Sequence, residues 1–127
     1  MYHLSKKITA PFNDVIEKVT GELKKEGFGI ITTIDLKETF RKKINTDFRN
    51  YIILGACNPQ YAYKALLLND KVGIFLPCNV VVQQFDNGDV EVSIINPIEQ
   101  MQAINDPKLS AFAMEVTEAM KNVLTHL

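Results

Sequence analysis

The chain has 127 residues, 46% of them hydrophobic and 23% charged, with 14 basic against 15 acidic side chains. A chain of this length buries about two thirds of its unfolded surface in one core and is too short for two typical domains, so residues 1–127 are expected to form a single domain. The balanced charge supplies no field to hold a polyanion, which excludes nucleic acid as the expected partner, and the longest apolar runs, 52–57 and 72–82, fall well short of the roughly 20 residues that cross a bilayer.

Residues 2–10 alternate so that Tyr2, Leu4, Lys6 and Ile8 share one face, and they read as a strand that Pro11 ends. Over 11–26 the apolar residues Phe12, Val15, Ile16, Val19 and Leu23 recur at helical spacing, with Gly27 placed to terminate the helix in the left-handed region. Residues 28–34 carry β-branched side chains almost continuously and predict a strand packed on at least one face. Asp35 caps a short peripheral helix over 36–44, in which Leu36, Phe40 and Ile44 share a face and Arg41, Lys42 and Lys43 lie largely elsewhere.

Residues 51–56 form an apolar strand, after which Asn58-Pro59 starts a helix running to about residue 68, because Asn caps well and Pro suits the first helical position. Ala62, Ala65 and Leu66 are expected to face inward, and Tyr61 and Tyr63 to lie at a surface or interface. A long strand over 73–85 is interrupted by Pro77, which cannot donate to a ladder and so implies an edge or a bulge near Cys78. Asp86-Asn87-Gly88-Asp89 then turns the chain into a second strand over 90–95, making a β-hairpin. A short helical segment is expected over 98–104. Asp106-Pro107 opens a final helix to about residue 124, whose buried stripe comprises Leu109, Phe112, Ala113, Val116, Met120, Val123 and Leu124. This order predicts an α+β fold of two layers, helices covering one face of a largely antiparallel sheet.

The two cysteines, Cys57 and Cys78, are too few for a disulfide framework, and the first seven residues lack the apolar stretch and cleavage site of a secretory signal, so a cytoplasmic protein is expected. Gly55-Ala56-Cys57-Asn58-Pro59 delivers a thiol to the end of a strand just as a helix begins. Free N–H groups and the helix dipole there favour thiolate and suit an anion. The alternative is a small buried apolar residue, as free cysteines often are. Cys78 shares a strand face with Leu76, Val80 and Val82, which favours a core role, and Asn79 points the other way. If the thiols face each other they form a redox pair or half of a soft-metal site for Zn or Cu(I). The two histidines, His3 and His126, lie at opposite chain ends without ligand spacing, so a four-ligand zinc site has no sequence support. The cations of 41–43, with Asp47 and Arg49, are candidates for an anionic ligand or simply a solvated helix face. No phosphate loop, paired-histidine motif or nucleophile elbow occurs.

Gly27-Phe28-Gly29, Ile34-Asp35, Asp47-Phe48-Arg49, the run from Ile53 through Pro59, and Leu76-Pro77-Cys78-Asn79-Val80-Val81-Val82 together resemble the domain of unknown function 302 (DUF302) family over nearly the whole length. The resemblance implies a curved antiparallel sheet with helices on one side, similar to the TATA-binding-protein architecture, and a protein that self-associates as a homodimer. It makes Lys43, Asp47, Arg49, Cys57, Asn58, Cys78 and Asn79 the shared site candidates, while Asn50, Gln83 and Asn96 depart from the pattern. DNA binding does not follow from such an architecture, since function resides in sites. The leading expectation is a small-ligand or metal-binding protein with its site around Cys57 and Cys78. A cysteine-based redox or sulfur-transfer enzyme, and a dimerisation module without chemistry, are the alternatives.

Overall fold

Alternating strands and amphipathic helices resolve, in a computed structural model describing residues 1–127, into β1 (His3–Ile8), α1 (Phe12–Lys25), β2 (Gly29–Asp35), α2 (Leu36–Ile44), β3 (Tyr51–Cys57), α3 (Pro59–Leu68), a 3-10 turn (Val72–Phe75), β4 (Cys78–Gln84), β5 (Val90–Ile95), α4 (Pro97–Met101) and α5 (Pro107–Thr125). The strands form one open five-stranded sheet in the order β1-β5-β4-β3-β2, and every neighbouring pair is antiparallel. The fold is therefore α+β.

The core lies between one sheet face and two helices. Val15, Val19 and Leu23 of α1 and Val116, Met120 and Val123 of α5 meet Leu54, Val80, Val82, Val92 and Ile94 from the three central strands, all of them buried. The period of two explains the choice, because Val80 and Val82 point to the helices while Asn79, Val81 and Gln83 point away. On β1 the face carrying Leu4, Lys6 and Ile8 turns toward the helices, and the Lys6 ammonium donates to the Leu124 carbonyl at 3.0 Å. Burying the lysine stem while its head reaches a helix-terminal carbonyl reconciles a charge with that face. Tyr2 stands outside the strand and is exposed.

Three helices start on a capping side chain and a proline. Asn58, Asn96 and Asp106 each accept from backbone N–H groups of the following turn, and Pro59, Pro97 and Pro107 occupy the first helical position. Asp35 caps α2 in the same way, accepting from Glu38 N at 3.1 Å. Gly27 at φ +85° and Gly88 at φ +91° adopt the left-handed conformation that ends α1 and turns the β4–β5 hairpin.

Several expectations are corrected. The long strand over 73–85 is two elements: the 3-10 turn takes Val72–Phe75 through i to i+3 bonds, Leu76 N to Gly73 O among them, and β4 begins only at Cys78. Pro77, unable to donate, sits immediately before the strand, so β4 runs uninterrupted at the centre of the sheet. The register irregularity lies instead in β2, between Ile30 and Thr32. β2 is an edge strand held by its ladder to β3: of the expected segment, Phe28 is buried in the core and Ile30 packs against it, while Ile31 at 61% and Ile34 at 46% are exposed. Leu66 of α3 is exposed, because Tyr61, Ala62 and Ala65 form the inward face of that helix.

Gly55 sits where the sheet leaves no room for a side chain. A Cβ added there would collide with Thr32 Oγ1 and come within 2.8 Å of Pro77 Cγ, whereas one added at Gly21, on the exposed side of α1, would meet nothing within 4 Å. Gly55→Ala should therefore lower stability by about 1–3 kcal/mol through overpacking, and Gly21→Ala should raise it by up to about 1 kcal/mol through helix propensity. Urea unfolding midpoints of the two variants against the parent check both signs.

Candidate functional site

β3 and β4 set the geometry of the cysteines. Ala56 is the register partner of Cys78, so Cys57 lies one residue along the neighbouring strand. A strand separation of about 4.8 Å and a rise of about 3.3 Å per residue put the two Cα atoms roughly 6 Å apart, inside the range a disulfide spans. Both thiols are free, and both line one cleft. Alternation alone sends Cys57 and Cys78 to opposite faces. Cys57 is the last residue of its strand, where the chain turns into α3, and there it reaches the same cleft.

The cleft is walled by α3, the 3-10 turn, α4 and α5. Tyr61, Ala62 and Ala65 form one side and Leu109, Phe112 and Ala113 another, with Phe75 and Met101 closing the end. Fifteen of its eighteen lining residues are hydrophobic, which fixes its preference for an uncharged apolar occupant. Its free space is about 60 Å³, less than half the roughly 150 Å³ of a cavity that takes benzene. The Tyr61 ring bridges it, 6.4 Å from the Phe28 centroid and 6.3 Å from that of Phe112. Burial first, then the negative charges of Glu115 and Glu26, hold the Tyr61 phenol above its ordinary range.

The start of α3 differs from the expected anion site. Pro59 has no N–H, Gln60 N and Tyr61 N donate to Asn58 Oδ1 at 3.1 and 3.3 Å, and Ala62 N donates to the Asn58 carbonyl at 2.9 Å. The donors of this helix end are thus satisfied internally, and Asn58 acts as their cap. Gly27 makes room for it, since a Cβ there would stand 2.9 Å from Asn58 Nδ2. Cys78 shows the same dry environment: burial first, and the nearby Cys57 second, push its thiol up to about 11.

Of the seven residues singled out from sequence, the structure brings together Cys57, Asn58 and Cys78. Asn79 is exposed and, one position beyond Cys78, points to the opposite face of the sheet. Arg49 precedes the other end of β3, roughly 20 Å from Cys57 along a seven-residue strand. There its guanidinium stacks over Phe48 at 4.5 Å and its Nε donates to Gln83 Oε1 at 3.0 Å. Lys43 lies in the last turn of α2 and Asp47 beyond its end, both exposed. No group of three or more His, Cys, Asp or Glu side chains is gathered in the chain. Tyr61, expected at a surface or interface with Tyr63, instead turns inward and completes the cleft with Phe75 and Gln100, while Tyr63 is exposed. The helical spacing of Tyr61 with Ala65 carries the signal for the first. Phe75 and Gln100 meet only through tertiary structure, Gln100 Nε2 donating to the Phe75 carbonyl at 3.4 Å.

An open antiparallel five-stranded sheet with α1 and α5 on one face, and an apolar cleft at the β3–β4 end, defines the class of protein. The family model described as domain of unknown function DUF302 matches residues 4–127, and the chain belongs to that family. It is similar to the crystal structure of an uncharacterised conserved DUF302 protein from Bacillus stearothermophilus, with 32% sequence identity, a TM-score of 0.92, and coverage of 99% of this chain and 98% of that one. No curated protein gives a significant match.

The thiol of Cys78 generates a prediction with a definite sign. Its folded value is raised to about 11, so between about pH 9 and about pH 11 the unfolded chain has lost the proton that the folded chain keeps, and stability falls as pH rises through that window. Relative to Cys78→Ala, the parent should lose up to about 2–3 kcal/mol more across this interval, measured by urea unfolding at each pH. Alkylation of Cys78 in the folded protein should likewise rise only toward pH 11, as resolved by peptide mass spectrometry.

Proposed function

We propose that this chain is a binding protein for a small uncharged ligand with an apolar body, held in the cleft against the thiol wall of Cys57 and Cys78. The observation that carries this reading is the lining itself: apolar side chains on every wall, two thiols, and a helix start whose donors are already taken. An anion would have to be desolvated there without a partner, at a cost of several kcal/mol. The free space of about 60 Å³ admits a group of only a few heavy atoms unless α3 moves, and α3 has no fully buried residue to anchor it. Thiols suit a sulfur-containing or otherwise soft, uncharged head.

The register of Ala56 with Cys78 favours a second reading, a dithiol that closes to a disulfide as it reduces a partner disulfide. Free thiols fit a reducing, cytoplasmic setting in either case. Exposed apolar side chains near the cleft, Tyr63 at 66%, Leu67 at 69% and Ile74 at 82%, support self-association as a homodimer.

Propanethiol and propanol serve as small probes with the same body. On methyl-labelled protein, both should shift the Leu109, Val116 and Met101 resonances, propanethiol should bind more tightly, and Ala62→Leu should abolish both responses by filling the cleft. Absence of any shift at millimolar probe sinks the binding reading. Titration with glutathione disulfide separates the second: loss of two hydrogens in intact mass, prevented by Cys78→Ala, is its signature.

A further inference from the structure

The sheet face opposite α1 and α5 carries a second concavity, remote from the cleft, with about 310 Å³ of free space, within the usual range of small-molecule sites. Residues directly opposed in an antiparallel ladder stand on the same face, so the register arranges this surface in rows. Tyr51, Gln83, Glu91 and Lys7 form one row across four strands, and Ile53, Val81, Ser93 and Ser5 form the next.

Each row has a definite hydrogen-bonding character. Because Arg49 Nε donates to Gln83 Oε1 at 3.0 Å, the amide oxygen is engaged and the NH2 group remains as a donor. Glu91, directly across from it, offers only acceptors, while the ammonium of Lys7, the register partner of Glu91, lies over the Phe85 ring at 5.6 Å. In the second row Ser93 Oγ lies 2.8 Å from Ser5 Oγ, which lies 2.8 Å from His3 Nδ1, so this hydroxyl chain ends on an imidazole. Farther along β4, roughly 13 Å from Gln83, Asn79 adds a second amide. Val81 separates the two amides with an apolar step, and Tyr51 and Tyr2 stand toward opposite ends of the concavity.

A planar donor and a planar acceptor side by side match a pair of adjacent hydroxyl groups, each of which both donates and accepts. Tyrosine rings and an aliphatic step suit the C–H face of a saturated ring. A wholly apolar ligand would strip water from the amides without replacing it. We propose that this face is a binding site for a short neutral saccharide, whose adjacent hydroxyls bridge Gln83 and Glu91 and whose ring lies over Val81 toward Tyr51.

Saturation-transfer NMR with maltose, cellobiose and lactose at millimolar concentration tests it on the intact chain. The expected result is transfer to the ring C–H protons of at least one disaccharide, reduced about tenfold in apparent affinity by Gln83→Ala and by Tyr51→Ala, and unchanged by Cys57→Ser. Asn79→Ala, at an exposed position, gives a further weakened variant should Tyr51→Ala fail to fold. Absence of transfer from all three sugars overturns the assignment. So does transfer undiminished in Gln83→Ala and Asn79→Ala, or sugar-induced shifts confined to the Leu109 and Val116 methyls of the cleft.

Discussion

The pairing of β3 with β4 is the constraint on which the rest of this molecule depends. These central strands contribute Leu54, Ala56, Val80 and Val82 to the core, and their register places Ala56 against Cys78. Gly55 allows that pairing to be as close as it is, with Thr32 on the one side and Pro77 on the other. Because one ladder sets both the core and the cleft wall, the thiols owe their position to the same strand pairing that builds the core. A site built this way is rigid on its sheet side and compliant on its α3 side, where no residue is fully buried.

Most of the architecture was legible because local chemistry and global fold agree. Asn58-Pro59 and Asp106-Pro107 announce helices in sequence and begin them in the structure, whereas Asn96-Pro97, which closes the hairpin, also opens α4 (Pro97–Met101), ahead of the helical segment expected over 98–104. The Asp86–Asp89 turn makes the hairpin that its Gly88 predicts, with Phe85 N donating to Asp89 O at 2.9 Å. What sequence could not show was the position of each strand in the sheet. An edge strand and a central strand of the same composition look alike, so the apolar character of 28–34 suggested a packed strand where β2 lies at the rim. Residues 72–75 carry an apolar pattern compatible with strand, and the 3-10 turn there follows from the interruption at Pro77.

The site was legible in part, for a related reason. Cys57, Asn58 and Cys78 were found by proximity to a strand end and a helix start, and adjacent strands unite them. Charge pattern and resemblance group Lys43, Asp47 and Arg49 with them, and Asn79 follows Cys78 in sequence, but β3 is long and the faces of β4 alternate, so these residues diverge from the cysteines in space. Helix ends invite anions only when their donors are free. At α3 the capping side chain, itself one of the candidates, uses them up.

The ladder between β1 and β5 joins His3 to Ile95 and Ile8 to Val90, the two most sequence-distant neighbours in the sheet. A chain emerging from its N-terminus therefore makes β1 first and pairs it last, after all other strands have been produced. Until residues 90–95 arrive, β1 has no ladder partner and the outer side of β4 is bare. Order of synthesis and order of closure thus run in opposite directions, and completion of the sheet waits on a loop closure spanning most of the chain.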